Sequence, residues 1–157
     1  MLIRKAELKD SEQIVLLGKQ LLELHTEWEK DYYALEENFN DSFACWVTEQ
    51  TTNRSKFLYV AENNGIIVGF ISGYLKSFYP WFKTKVVGHI SFLYILPDYR
   101  RKKIGKLLTE KSADWFRSNN VKYVEVFADE KNTVAVNAWG SYGFGGFKRF
   151  LRKSLCL

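Results

Sequence analysis

The chain contains very little proline, cysteine and methionine. Among its 157 residues there are two prolines, two cysteines and one methionine. So few prolines, together with the lack of any Ser/Gly-rich tract, exclude long linkers and low-complexity segments. The spacing of Cys45 and Cys156 matches no metal-binding motif. We expect Cys45, beside Trp46, to pack in the interior and Cys156 to be an idle thiol.

Long hydrophobic runs are absent as well. No window approaches the roughly 20 apolar residues of a membrane span, and the opening MLIRKAELKD lacks the apolar core of a signal peptide. We therefore expect a cytoplasmic protein with no membrane partner and no metal site. The hydrophobic fraction of 46% is ample for a core, so we predict a single domain over residues 1–157.

The net charge of +5 is unevenly distributed along the chain. Residues 100–106 contain five bases and no acid, which predicts an anionic ligand. Residues 23–41 contain one base, Lys30, and seven acids, which predict either a cationic ligand or, equally, a solvated helix surface. The acids are Glu23, Glu27, Glu29, Asp31, Glu36, Glu37 and Asp41.

Hydrophobic periodicity predicts the elements. Apolar residues at spacings of three and four predict a helix that starts at Asp10, with Gln13 completing a capping box, and a second helix over 35–46. Asn64-Gly65 predicts a tight hairpin turn, because both turn positions need positive φ. The remaining predicted elements are strands at Leu2–Ala6, Lys56–Glu62, Ile66–Leu75, Val86–Leu96, Val121–Ala128 and Phe147–Ser154, and helices at Lys103–Asn119 and Asn132–Tyr142.

This order, β-α-α-β-β-β-α-β-α-β, places antiparallel hairpins before a β-α-β crossover. It implies an α/β fold with a mixed, mostly antiparallel central sheet and helices on both faces.

The most informative segment is ISFLYILPDYRRKKIGKLL, from Ile90 to Leu108. A strand that delivers bases to a helix N-terminus suits a phosphate group. The segment resembles the acetyl-CoA pyrophosphate loop of the GNAT superfamily of N-acetyltransferases, Gln/Arg-x-x-Gly-x-Gly/Ala, with a lysine at the first glycine position. The resemblance implies that this loop binds acetyl-CoA through Arg100, Arg101, Lys102, Lys103, Ile104, Gly105 and Lys106.

Two further segments extend the resemblance over nearly the whole chain, including the fold. Asn132-Thr133-Val134-Ala135, followed by Trp139 and Gly143-Phe144, is similar to the family's Asn-x-x-Ala-x-x-x-Tyr-x-x-x-Gly-Phe segment. In the family, the strand that matches Val86–Leu96 bulges near its end, and its free N–H groups bind the pantetheine arm and polarise the thioester. These matches assign to the cofactor Leu93, Tyr94, Ile95, Asn132, Ala135 and Trp139.

The catalytic roles have separate candidates. An ammonium acceptor has a pKa of about 10 and must lose a proton before it attacks. Glu125, alone in an apolar strand, is the predicted base, and His89, expected to lie far from the bulge, is the weaker alternative. The family's tyrosine, which often protonates the leaving thiolate, corresponds to Trp139. Tyr142, one helical turn later, is the predicted acid unless the thiolate leaves unassisted.

In the family the first two helices and the loop before the long strand form the acceptor site. Here those segments contain acids and many aromatic rings, which suit a cationic amine such as a polyamine, an aminoglycoside or a lysine side chain. The same rings could form a dimer surface or core. They are Tyr32, Tyr33, Phe78, Tyr79, Trp81 and Phe82.

The leading hypothesis is therefore an acyltransferase, an acetyl-CoA-dependent N-acetyltransferase that transfers the acetyl group directly to a primary amine in a ternary complex. The alternative is a catalytically impaired module that binds acyl-CoA, favoured by Lys103 and Trp139. A nucleic-acid partner is not expected, because the first helices are acidic. A homodimer through the apolar segment Phe147–Leu155 is the assembly that the sequence allows.

Overall fold

The computed structural model describes residues 1–155. The chain divides into two compact units, Met1–Phe127 and Ala128–Leu157. In the first unit lie strands β1 (Leu2–Lys5), β2 (Lys56–Asn63), β3 (Ile66–Ser77), β4 (Val86–Ile95) and β5 (Val124–Val126), with helices α1 (Ser11–Thr26), α2 (Phe39–Thr52) and α3 (Ile104–Ser118). In the second lies α4 (Thr133–Ser141). Within the described chain, no helix is long and apolar enough to cross a bilayer.

The first unit is built on one mixed sheet with the strand order β1-β2-β3-β4-β5. The pairs from β1 to β4 are antiparallel, and β5 pairs parallel with β4. The β2–β3 turn has φ values of 51° at Asn64 and 81° at Gly65, as that dipeptide predicts. The parallel pair is joined through α3, since parallel neighbours need a crossover connection. The predicted mixed, mostly antiparallel sheet is confirmed.

Helices cover both faces of the sheet. On one face, Leu58, Phe70 and Tyr94 share a buried cluster with residues of α1 and α2, among them Ile14 and Phe43. Burial of each such side chain contributes about 1.5–3 kcal/mol.

The opposite face packs on α3. A Cβ at Gly88 of β4 would lie 2.5 Å from the ring of Phe116, so only glycine allows this helix to approach so closely. The prediction of helices on both faces is confirmed.

Two predicted strands differ from the structure. Val121–Ala128 was expected to be continuous, but β5 has three residues, Val124–Val126, because it diverges from β4 beyond Ile90. Among the described residues, 147–154 form no strand, so the order ends at α4. The large apolar residues from position 147 to position 155 are each at least 80% exposed: Phe147, Phe150, Leu151 and Leu155. A strand also needs a paired neighbour for its backbone hydrogen bonds, and apolar content alone does not supply one.

Smaller departures follow from local hydrogen bonds and exposure. Gln13 does not complete a capping box for α1; its Oε1 accepts a hydrogen bond from the backbone N–H of Ile67, at 2.8 Å. The capping box instead joins Glu7 and Asp10 around the short turn that precedes α1. Cys45 is exposed and not packed in the interior. The expectation for Cys156 lies outside the described residues.

A buried ion pair attaches β1 to the start of α1. Arg4 donates to both carboxylate oxygens of Asp10, at 2.7 and 2.8 Å, and to Glu62, at 2.7 Å. Asp10 also accepts the backbone N–H of Glu7, and its residue is 3% exposed. The hydrogen bond from Arg4 is the main reason that the pKa of Asp10 lies below its ordinary value.

The substitution Asp10→Asn is expected to lower the free energy of unfolding by about 1.5–3 kcal/mol, the usual value of a hydrogen bond to a charged group. Because the folded pKa is lowered, this stabilisation is present above the ordinary aspartate pKa and is lost as pH falls through the folded pKa. Urea unfolding at pH 7 and pH 3 measures both effects.

The matched control is Arg117→Ala, which removes the exposed Arg117–Asp114 pair and should cost less than about 1 kcal/mol. Equal losses in the two variants would contradict the role given to Asp10.

Candidate active site

A β-bulge lies in the middle of β4. On β3, Ser72 pairs with Phe92 and the next residue, Gly73, pairs with Ile90, so Ser91 is an additional residue in β4. The pairing of β4 with β5 covers Gly88, His89 and Ile90 in the described chain and ends there. The bulge and the divergence of the two strands therefore occur at the same level of the sheet.

Beyond the bulge, two backbone N–H groups of β4 point away from β3. The N–H of Leu96 donates to Val68 of β3, at 2.9 Å. Because N–H directions alternate along a strand, Tyr94 also points toward β3, whereas Leu93 and Ile95 point toward the side that β5 has left. Within residues 1–155 no strand pairs with β4 on that side at this level. Polar ligand atoms can therefore reach these two donors.

The loop before α3 adopts left-handed backbone at two non-glycine residues. The φ values are 60° at Arg101 and 63° at Lys103. Left-handed backbone costs an L-residue about 1–2 kcal/mol, which is why glycine is favoured there. Lys103, at the first glycine position of the sequence motif, thus has a backbone conformation that glycine adopts without this cost. Alternation of left-handed with other residues makes successive N–H groups converge, and such a concavity suits an anion.

The N-terminus of α3 is open. Lys103 is its N-cap residue, no side chain in the described chain caps it, and its first turn holds no acid. Its first N–H groups and the positive end of the helix dipole are therefore available to an anion, next to the basic residues of the loop. Arg100 donates to the carbonyl of Ile95, at 3.0 Å, and its guanidinium lies 5.7 Å from the centre of the Tyr94 ring. Arg100 is thereby held next to the bulged strand.

Polar residues cluster just before the bulge, on the sheet face that α1 and α2 cover. Tyr74 pairs with His89, and His89 pairs with Glu125 on β5. Directly opposed residues of neighbouring strands lie on the same face of the sheet, so Tyr74, His89 and Glu125 share a face. Alternate residues of one strand also share a face, so Ser72 and Lys76 of β3 lie on the face of Tyr74. Lys76 Nζ lies 3.3 Å from Glu125 Oε2.

His89 is buried between two rings and lacks a partner for one nitrogen. Its imidazole centre is 5.1 Å from that of Tyr74 and 5.0 Å from that of Phe127. Among the described residues, neither its Nδ1 nor Ser72 Oγ has a hydrogen-bond partner. Burial, and secondarily the Lys76 ammonium, lowers the pKa of His89, so the imidazole is neutral at pH 7.

The second unit carries the other predicted residues. Asn132 is the N-cap of α4 and accepts the backbone N–H of Ala135, at 3.0 Å. The rings of Trp139 and Tyr142 are 5.8 Å apart and perpendicular, which confirms that both side chains lie on the same side of the helix. Burial raises the pKa of Tyr142, so its hydroxyl stays protonated over the physiological range.

The aromatic residues expected near an acceptor form two groups. In the α1–α2 connection, Tyr32 and Tyr33 are 4.9 Å apart, and Tyr33 lies 5.2 Å from His25. In the β3–β4 loop, Tyr79 stacks on Trp81, at 5.2 Å, and Trp81 is 73% exposed. Exposed aromatic rings, and the acids of the α1–α2 connection, are each compatible with a cationic ligand.

Comparison with known proteins agrees with this geometry. Residues 19–144 match the sequence profile of the Acetyltransferase (GNAT) family. The chain belongs to the GNAT acetyltransferase family. As a member of that family, it is an acyltransferase.

Individual relatives are distant in sequence. The chain is 27% identical over 108 residues to an uncharacterized N-acetyltransferase of Archaeoglobus fulgidus. The alignment covers 64% of this chain and 74% of that protein. A variant of the BH1408 protein from Bacillus halodurans aligns with a TM-score of 0.87 at 20% identity, covering 99% and 100% of the two chains. The aminoglycoside N-acetyltransferase AAC(6')-Iy in complex with CoA aligns with a TM-score of 0.80 at 17% identity, covering 99% and 95%.

In this GNAT chain, the structure reveals features that sequence reasoning missed. The bulge lies at Ser91, two residues from His89, so the expectation that His89 is far from the bulge is wrong. The sequence alone singles out neither Ser72 nor the Lys76–Glu125 pair. Strand pairing determines the bulge, the position of Ser72 and the Lys76–Glu125 contact. The periodicity of side chains along the sequence carries no signal for a bulge.

Lys103→Gly tests the left-handed loop. The change should raise the free energy of unfolding by up to about 1 kcal/mol, because relief of about 1–2 kcal/mol of backbone strain exceeds the 0.5–1 kcal/mol cost of glycine's flexibility. Thermal and urea unfolding measure it. Lys106→Gly, at an exposed position within α3, is the control and should be destabilising. Equal destabilisation of both variants would contradict the strained loop.

Proposed function

We propose that the protein transfers the acetyl group of acetyl-CoA to a primary amine by direct attack in a ternary complex. The observation that carries the proposal is the bulge at Ser91, after which the N–H groups of Leu93 and Ile95 face the side that β5 has left. Acetyl-CoA supplies an activated acyl group as a thioester. The open, strained loop before α3 fits a diphosphate. The resemblance supports the assignment of the bulged strand and of this loop to one bound acetyl-CoA.

Cofactor binding in this proposal divides into three parts. N–H groups of residues 101–105 bind the pyrophosphate, with Arg100, Lys102 and Lys106 adding positive charge. Leu93 and Ile95 donate to the pantetheine arm and to the thioester oxygen, while Tyr94 contributes the ring on which Arg100 rests. In the second unit, Asn132, Ala135 and Trp139 line the arm, a role that rests on the resemblance.

The proton transfers have two proposed participants. Glu125, whose side chain is 19% exposed, accepts a proton from the acceptor ammonium, because a carboxylate in a sheet at the point of strand divergence can reach an amine there. Tyr142 donates a proton to the leaving thiolate, and the burial that raises its pKa keeps that proton available. A thiol with a pKa of about 8.5 is already a fair leaving group, so the acid step is the smaller contribution.

A cationic primary amine is the proposed acceptor class: a polyamine, an aminoglycoside or a lysine side chain. Support comes from the acids of residues 23–41, from the edge-to-face pair of Tyr32 and Tyr33 and from the stacked pair of Tyr79 and Trp81. The aminoglycoside enzyme among the structural neighbours is compatible with it. A panel of these amines, assayed by release of free CoA thiol, tests the function, and thiol release with none of them would favour the alternative of a module that only binds acyl-CoA.

The organisation of the chain is also a proposal. We propose one GNAT domain over residues 1–157, because the family match crosses the boundary between the two units.

We propose a cytoplasmic location, since coenzyme A thioesters are intracellular metabolites. A homodimer through residues 147–155 is supported by the exposure of Phe147 and Leu151, and sedimentation velocity measures it.

Glu125→Gln is expected to lower kcat by roughly 10²-fold and to move the pH–rate profile to higher pH, because loss of a general base costs about this much. Steady-state kinetics from pH 6 to about pH 10 measure it. Glu49→Gln removes a glutamate that pairs with another strand lysine, Lys56, and should leave the profile unchanged. An unaltered profile in Glu125→Gln excludes this residue as the base.

Tyr142→Phe is expected to lower kcat by up to about 10²-fold while the KM for acetyl-CoA stays near that of the wild type, because only a proton donor is lost. Tyr123→Phe, at a residue that is 63% exposed, is the control. Full activity of Tyr142→Phe would mean that the thiolate departs without this acid.

A further inference from the structure

We propose that Lys76 is an acetylation site of the protein itself, modified by its own active site when no external amine is bound. The proposal rests on the proposed function, because the acetyl group comes from acetyl-CoA. It identifies Lys76 as a modification site. It also implies that the acceptor subsite accommodates the ammonium group of a lysine side chain.

The surroundings of the Lys76 ammonium are those that an acceptor amine needs. Its Nζ lies 3.3 Å from Glu125 Oε2, the proposed base, and 6.0 Å from the centre of the Phe127 ring. A carboxylate and an aromatic face together bind a primary ammonium. The side chain is 38% exposed, compared with 19% for Glu125, so the lysine reaches the carboxylate from a partly open position.

Lys76 pairs with Val87, three residues before the last β4–β5 pair at Ile90, and its ammonium lies against Glu125 and Phe127 of the β5 segment. Lys76 shares a sheet face with His89 and Ser72, and His89 is the residue of β4 that pairs with Glu125. His89 Nδ1 and Ser72 Oγ are buried and lack partners among the described residues. A buried polar atom without a partner costs about 1–3 kcal/mol, so two of them on one face mark a place for a polar group of a substrate.

The chemical step is balanced with groups already named. Glu125 accepts a proton from the Lys76 ammonium, and the freed Nζ lone pair forms a bond to the thioester carbonyl carbon. The adduct nitrogen, still cationic, then gives its second proton to solvent. The carbon–sulfur bond breaks, and the thiolate takes up a proton either from Tyr142, which solvent reprotonates, or from solvent directly. Glu125 returns its proton to solvent, so one proton is released overall. The products are Nε-acetyllysine and CoA, with no oxidant or reductant. Because the amide is neutral, the ion pair with Glu125 is lost.

The experiment incubates the folded protein with acetyl-CoA and no amine, and follows each lysine by peptide mass spectrometry. Lys76 should be acetylated at least about tenfold faster than Lys56, a strand lysine that also pairs with a glutamate, because only Lys76 lies at the proposed base. The rate constant should be independent of protein concentration, as an intramolecular step requires. Glu125→Gln should slow Lys76 at least about tenfold and leave Lys56 unchanged.

The opposite results overturn the inference. Acetylation of Lys76 no faster than that of Lys56, or equally fast in Glu125→Gln, would mean that acetyl-CoA modifies surface lysines without catalysis. Thiol release with external amines while Lys76 stays unmodified would contradict this inference and would still support the proposed function. No transfer to Lys76 and none to any amine would remove both.

Discussion

The arrangement of the site depends on one local irregularity, the additional residue Ser91 in β4. Below the bulge, the N–H of Gly88 donates toward the β5 side, to the carbonyl of Tyr123, so an unbroken alternation along β4 would turn the N–H groups of Leu93 and Ile95 toward β3. With the additional residue, Leu93 and Ile95 present their N–H groups where β5 has ended. Backbone donors held by a sheet need no reorganisation to stabilise a developing oxyanion, which makes this position suitable for acyl transfer.

A second constraint lies in the loop that follows the same strand. Two positively charged residues, Arg101 and Lys103, adopt left-handed backbone at an energetic cost that glycine would avoid. The motif that the loop resembles has glycine at the second of these positions, and here Lys103 carries a positive charge on a left-handed backbone that glycine would adopt without strain. Arg100 connects this loop to the bulged strand through the carbonyl of Ile95. This hydrogen bond fixes the basic loop before α3 to the end of the bulged strand.

Much of the fold could be predicted because its signals are local. Asn64-Gly65 identified the hairpin, and the strand-to-helix segment around Gly105 identified the family. The site was less predictable because it depends on pairing between distant segments. Glu125 was singled out as a lone acid in an apolar strand, but its contact with Lys76 links residues 49 positions apart. Apolar content predicts a strand at 147–154, but these residues form none, because a strand also depends on a paired neighbour that the segment's own sequence does not specify.

The most direct test of the central claim is amide hydrogen exchange, measured by NMR with and without CoA. The account predicts that CoA slows exchange at Leu93, at Ile95 and at residues 101–105, because these N–H groups donate to the bound molecule, while Tyr94, which points toward β3, changes little. Tight binding of CoA with unchanged exchange at Leu93, Ile95 and the loop would contradict the account.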